Sequence, residues 1–437
     1  MGLDVLDARG VAHECGGAVT DRAARCASGQ RDAVVGGCIL AGESSLDLRR
    51  RLAYADAVAR EHGSCNRAGA AIVSSDLTPQ DVATRMPNNP DDQRAIRVLI
   101  DNDLLGQPVH LLMSRKENLC RMRRDIGGIE YSYSLREREL PVGSIDEVIL
   151  GCDVVGGELV LPRDDAPLRR SGYGRVRWMG KTDVRSGEAA VLCCASIPHT
   201  FLSLIDGRRT DLSAQERRHA LTEAIKLGCE LTSAFCYAPW CEEGFVQCRA
   251  TATPSDIAWY ARRCVGQRSR TVASRAAPYI EGGFRSPLEV SVYLLLCLPP
   301  RLGGYGIPHP RINVWLDAEG NIVEPQSTHA RRQADMLWAQ RRTAALVAGL
   351  ILEVQGYYRH LGKGAAPGKV MKDIERMAEL QSVGYEVMQV TIRQVRSVEQ
   401  FHRLAMTICK RLGKRFREPS DYDWRARREE LRRTLGV

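Results

Sequence analysis

Residues 350–360 read LILEVQGYYRH, and one of them is out of character with its neighbours. Leu350, Ile351, Leu352 and Val354 make a short apolar run of the kind that becomes a buried strand, yet Glu353 stands inside it. An ionised carboxylate in such a place costs several kcal/mol unless its charge is compensated. Asp335, 18 residues upstream in RRQADMLW, lies in another short extended segment. Neighbouring strands can bring two such carboxylates together, and a divalent cation between them neutralises both. Mg2+ suits the pair, because it takes carboxylate and water oxygens and can serve as Lewis acid and water activator in phosphodiester cleavage. His360 follows on what reads as a loop. Near two carboxylates it has the tunable pKa of a general acid or base; the plain alternative is an exposed histidine with no task.

The elements that would hold these residues begin at Phe284. RSPLEVSVYLLLCL offers Ser286, Pro287 at the first helical position and Glu289 three residues after the serine, which is a capping box ahead of an apolar helix. Pro299 and Pro300 stop that helix. INVWLDAEGNIVEP predicts a hairpin, and RRQADMLW and LILEVQ predict further strands. PGKVMKDIERMAELQSVGY puts Val370, Ile374, Met377 and Leu380 on one helical face and ends at Gly384. EVMQVT alternates as a strand, and SVEQFHRLAMTICKRL predicts a second helix. Helix, strands, helix, strand, helix is an α/β layer arrangement with the sheet covered by helices.

Upstream the reading is coarser. LTPQDVATRM and DDQRAIRVLIDNDLLG predict two helices joined by PNNP and followed by the extended PVHLLM. That order fits either a winged helix-turn-helix or a generic helix pair feeding a strand. IEYSYSL, VGGELVL and AAVLCCA are short β-like alternations. LSAQERRHALTEAIKLGCELTSAF and TPSDIAWYARRC open with helix caps, Thr253 or Ser255 capping the latter. Before residue 70 one helix is expected, from Ser45 to about His62.

The whole chain bounds these readings. A length of 437 residues favours two or three domains, and 44% hydrophobic with 26% charged residues is the composition of a soluble globular protein. The net charge of +9, from 62 Lys+Arg against 53 Asp+Glu, permits a nucleic-acid partner without demanding one. Most of the basic residues are Arg, which suits phosphate recognition and equally reflects a GC-rich coding sequence. No stretch approaches the roughly 18 apolar residues that span a bilayer, and MGLDVLDARG is not a signal peptide, so a cytoplasmic location is expected. Cys229, Cys236, Cys241 and Cys248 match no zinc spacing, and buried free thiols account for them better.

Asp335, the Glu353-Val354-Gln355-Gly356 turn, His360, Asp373 with Arg376, Gly384-Tyr385 and VMQVTIRQV resemble the DUF559 family, which is similar to the very-short-patch-repair endonucleases of the PD-(D/E)XK nuclease fold. PVHLLM through GCELTSAF to SPLEVSVYLLLCLPPRLGGYGIPHPRINVW resembles the region joined to such a domain in bacterial proteins related to type IV abortive-infection antitoxins. The resemblance implies an unassigned segment over 1–76, an α+β antitoxin-like region over 77–280, a restriction-endonuclease-like domain over 281–412 and a basic helix or tail over 413–437. It makes Asp335 and Glu353 the Mg2+ ligands. It matches Glu289 to the first-helix glutamate of the acidic cluster, although the capping box explains Glu289 equally well. It matches His360 and Asp373 to the His and Asp that follow the central glutamate. Asp373 reads otherwise as a surface residue paired with Arg376 or Lys369.

Gln355 departs from the family pattern, where Lys or Asp is usual. Gln supplies neither a charge nor a proton, so either Lys363 or Lys369 compensates or catalysis is weak or absent. Arg331, Arg332, Lys363, Lys369 and Lys372 flank the acidic residues and could neutralise DNA phosphates, or form a solvated face balanced by Glu375 and Glu379. From Lys410 to Val437 ten Lys/Arg stand against five Asp/Glu, with Tyr422 and Trp424 interleaved. The expectation is a Mg2+-dependent DNA endonuclease or nicking enzyme. Its rivals are a non-catalytic DNA-binding regulator of antitoxin type, with a cognate toxin as possible partner, and an assembly scaffold.

Overall fold

The structure, a computed structural model, describes residues 35–37, 39–61, 70–74, 82–84, 90–101, 104–114, 125–126, 128–136, 144–150, 153–155, 158–160, 190–205, 212–265, 267, 269–339, 349–355, 375, 377–420 and 423–437. It is a mixed α/β protein with two principal sheets.

The first half supplies strands β1 (Val35–Gly37), β2 (Ile39–Leu40), β3 (Ala70–Ser74), β4 (Val82–Thr84), β5 (Val109–Ser114), β6 (Asp125–Ile126), β7 (Ile129–Arg136), β8 (Ile145–Leu150), the hairpin β9 (Asp153–Val155) and β10 (Glu158–Val160), and β11 (Ala190–Ala195). Seven of them form one sheet in the order β3-β8-β11-β2-β5-β7-β6. Helix α1 (Gly42–Glu61) buries Leu46, Leu48 and Leu52, and its Arg49 guanidinium donates to Asp146 Oδ2 (2.7 Å) and to the Ala195 carbonyl (2.8 Å). These bonds fasten α1 to β8 and β11, so β2, α1 and β3 belong to the same body as the strands after residue 76. Helix α2 (Pro90–Asp101) buries Ile96 and Leu99, as its spacing predicts.

One expectation fails here. Residues 82–84, from LTPQDVATRM, are the strand β4, paired in parallel with β1, and not a helix. The winged-helix reading of this stretch loses its first helix. The partner strand lies far off in sequence, and local periodicity carries no signal for a non-local pairing that overrides weak helix propensity.

The connecting region is helical: α3 (Ile197–Leu204), α4 (Ala214–Leu231), the hairpin β12 (Phe235–Tyr237) and β13 (Phe245–Gln247), α5 (Pro254–Arg263) and α6 (Arg270–Ala276). Ser213 with Glu216 and Thr253 with Asp256 form capping boxes at α4 and α5, which fix where each helix starts.

The C-terminal half opens with α7 (Pro287–Cys297), followed by β14 (Arg311–Leu316), β15 (Ile322–Val323), β16 (Arg332–Ala339), β17 (Gly349–Gln355), helical residues 377–382, β18 (Tyr385–Thr391), α8 (Ile392–Arg396) and α9 (Val398–Arg411). The five strands order as β15-β14-β16-β17-β18; the pairs from β15 to β17 are antiparallel, and β17 runs parallel to β18. The sheet has two apolar faces. Met336, Trp338, Leu350, Leu352 and Val390 join a large core with α7 and α9, while Leu316, Leu337, Ile351, Leu380 and Tyr385 form a smaller core on the other side.

That large core continues through α3, α4, α5 and α6, so residues on both sides of position 280 share it. The last helix, α10 (Asp423–Leu435), seals the junction. Its Glu430 accepts from Arg218 (3.3 Å), Thr434 Oγ1 lies 3.0 Å from His219 Nδ1, and the Thr434 carbonyl accepts from Lys226 (2.9 Å), all three partners being on α4. Gly303, in the turn after α7, has φ 92° and comes so close to α10 that an added Cβ would sit 2.4 Å from the Arg427 carbonyl oxygen. Trp424 and Arg432, in the stretch read as a basic helix or tail, are buried. Arg432 tolerates this because it donates to the Val395 carbonyl (2.6 Å) and lies over the Phe401 ring. Among the described residues no helix is long and apolar enough to cross a membrane.

Candidate functional site

Asp335 and Glu353 lie where β16 and β17 part. Met336 pairs with Leu352 at the end of the β16–β17 ladder, and one further step in that register sets Asp335 opposite Glu353. There the ladder is completed by a side chain: the Val354 amide donates to Asp335 Oδ2 at 2.8 Å. The Asp335 carboxylate is thereby held against the peptide that links Glu353 to Val354. Glu353 is buried, 8% exposed, and its backbone is in register with Gln389 on β18.

The strand alternation explains how an acid reaches this point. In β14, Ile312 faces the large core whereas Val314 and Leu316 face the smaller one; in β16, Ala334 faces the smaller core and Met336 the large one. Both strands switch face at the same level, across Asn313 and Asp335. Asn313 is in the left-handed region (φ 49°), which Asn adopts more readily than most residues. The switch frees one polar side chain on each strand, Asn313 and Asp335, from the apolar pattern.

Glu289 joins them from the first turn of α7. Ser286 caps the helix by accepting from the Glu289 amide (3.3 Å) and donates its hydroxyl to Glu289 Oε1 (2.9 Å). Glu289 Oε2 accepts from the Arg285 amide (3.0 Å) and from Asn313 Nδ2 (2.7 Å). The glutamate therefore does more than cap: it ties α7 to the kink in β14. It is 6% exposed, and burial together with the nearby Asp335 charge pushes its pKa up to about 7. The Arg285 guanidinium bonds Gln333 Oε1 and Gln247 Oε1, and Gln333 donates to the Asn313 carbonyl (3.2 Å), completing a polar network behind the acids.

Glu289 gives a pH prediction. An acid with a folded pKa above its unfolded one takes up a proton on folding in the interval between them. Its stabilising contribution is intact below pH 4.5 and is lost as pH rises to about 7. Relative to Glu289→Gln, the parent's melting temperature should fall between about pH 5 and about pH 8. Paired thermal melts read that difference, and added Mg2+ should shrink it, since a cation favours the ionised form.

Of the other expected residues, Gln355 ends β17 in register with Thr391, half-buried. Arg332 is already held by the chain itself, donating to Glu379 (2.7 Å) at the surface and to the Asp317 carbonyl (3.1 Å), which leaves it poorly placed for a phosphate. Arg331 is exposed at the start of β16. His360, Lys363, Lys369, Lys372 and Asp373 lie outside the described residues. Asn313, Arg285 and Gln333 were missed by sequence reading; an Asn in the centre of the apolar RINVWL was the available signal. Among the described residues no group of three or more His, Cys, Asp or Glu is arranged to hold a metal ion. Asp335 and Glu353 still offer an all-oxygen pair on adjoining strands, which fits Mg2+, an ion that retains several waters and needs few protein ligands.

Comparison with protein-family models, curated proteins and solved structures returns no match.

Proposed function

We propose that residues 281–412 form a restriction-endonuclease-like, PD-(D/E)XK-type domain related to the DUF559 and very-short-patch-repair proteins, acting as a Mg2+-dependent DNA nicking enzyme. The observation that carries the reading is the Asp335–Glu353 placement. Two acids on adjoining strands of a helix-flanked mixed sheet occupy the level where those strands part, and a third, Glu289, comes from the preceding helix. Asp335 and Glu353 would hold the cation, which when bound supplies Lewis acidity and an activated water. The chain's own contribution is placement: the Val354 amide orients Asp335, and Asn313 and Ser286 orient Glu289. Gln355, on the same strand face as Glu353, can donate a hydrogen bond to a phosphate oxygen but brings no charge.

The test is conversion of supercoiled plasmid to open circles with Mg2+ or with a chelator. The parent should nick only with metal, and Asp335→Asn should be slower by at least ~10²-fold. Equal rates for parent and variant would assign any cleavage to a contaminant.

A second reading draws on Gln355, which brings neither a charge nor a proton to the acids. It is a DNA-binding regulator of antitoxin type that keeps the fold without the chemistry, and it expects DNA binding with no metal-dependent cutting by any variant.

A further inference from the structure

Between Asp256 and Glu281 the chain holds five arginines and no Asp, Glu or Lys. This run folds as a helical hairpin. Helix α5 ends in Arg262 and Arg263, a short connection follows, and α6 begins at Arg270 and carries Arg275 near its end. The turn at Ala277–Tyr279 comes back against α5, so the two helices lie side by side. One side of the hairpin is core: Ile257, Tyr260, Ala261, Ala273 and Ala276 are buried. The other side is open and cationic. Arg262, Arg263 and Arg275 are exposed, and among the described residues no carboxylate lies within ion-pair reach of them. Arg270 has an internal task, donating to the Ala261 and Arg262 carbonyls (both 3.3 Å) and so fixing the end of α5.

Trp259 gives the surface its character. It is 40% exposed, and the Arg263 guanidinium lies 3.9 Å from the ring centroid. An indole open on a helix surface, backed by a stacked guanidinium and ringed by unpaired Arg charge, combines a flat apolar platform with phosphate-binding forks. Unstacked bases on a phosphate chain need both. Duplex DNA would use the charges and leave the indole idle.

We propose that the outer face of α5 and α6 binds single-stranded nucleic acid, with Trp259 stacking a base and Arg262, Arg263 and Arg275 holding phosphates. This surface is built from other residues than the acidic site and stands whether or not Asp335 and Glu353 support cleavage.

Fluorescence anisotropy of a labelled oligothymidylate, titrated with the full chain at two salt concentrations, tests it. The triple variant Arg262→Glu/Arg263→Glu/Arg275→Glu should bind at least about tenfold more weakly and reduce the salt slope by roughly two, at about 0.7 per phosphate contact. Trp259→Ala should lose about tenfold with the slope unchanged, since stacking releases no counterions. Lys414→Glu/Arg415→Glu/Arg417→Glu makes the same change in net charge elsewhere. An equal loss in that control would overturn the proposal in favour of non-specific attraction. No oligonucleotide binding by the parent, unchanged binding by the hairpin variants, or binding only to phosphatidylserine vesicles would each overturn it too. Thermal melts should match the parent, because the replaced side chains are exposed. Asp335→Asn should bind as the parent does, so failure of the nicking reading and failure of this one are read separately.

Discussion

Gln355→Lys should raise Mg2+-dependent nicking of supercoiled plasmid by about a hundredfold, the usual worth of one well-aimed charge at a phosphoryl transition state. The geometry gives the reason. Gln355 is two residues beyond Glu353 on β17, so both side chains leave the same face of the sheet. A lysine there would extend past the point where β16 and β17 part, beside the carboxylates. Glu353→Gln should abolish nicking in either background, since it keeps the shape and removes a ligand. Metal binding can be read without turnover: Mg2+ at about a hundred times its dissociation constant stabilises the folded protein by ~2.7 kcal/mol. That stabilisation should appear in the parent and vanish in Glu353→Gln. Stabilisation without nicking favours the regulator reading with a retained cation site. Neither effect in any variant would falsify the metal site.

Trp424→Ala should cost about 3–5 kcal/mol and sharply lower the urea midpoint. Trp424 is 2% exposed and sits in an aromatic group with Tyr305 and Phe416, whose ring centroids lie 6.1 Å and 5.8 Å away. Arg428 closes the group, with its guanidinium 5.1 Å from the Tyr305 centroid and 5.4 Å from that of Trp424. Truncation leaves a cavity between α10 and the turn after α7 that flanking helices cannot readily fill. Trp424→Phe retains part of the packing and should lose distinctly less. Equal losses for the two variants would mean that the indole's bulk is not what matters.

The C-terminal half was the more legible part of the sequence. Ser286 and Pro287 marked the start of α7, Ser397 that of α9, and the runs at Met336 and Leu352 were strands because apolar stretches bounded by turns have few other uses. Asp335 and Glu353 were visible as charges in the wrong company. What was not legible depended on distant partners. Val82–Thr84 became a strand through pairing with Val35–Gly37. Asn313 took a left-handed conformation that no neighbouring residue announces, and its bond to Glu289 gave that glutamate a second task beyond the cap. The charge of α10 pointed to a basic helix or tail, yet Trp424, Leu431 and Leu435 recur on one helical side, and that apolar strip outweighed the arginines around it.

The α4–α10 contact decides how the molecule can be taken apart. A fragment beginning after residue 280 would retain α7, the five-stranded sheet and α10 but lose α4, whose Arg218, His219 and Lys226 meet Glu430 and Thr434. It would also strip the partners of Val290, Tyr293 and Leu431 that α3 to α6 contribute to the shared core. An apolar surface of that kind in water is a route to precipitation. Biochemistry on the acidic site therefore calls for the whole chain, and an insoluble C-terminal fragment would report the missing half of a core rather than a flaw in the sheet.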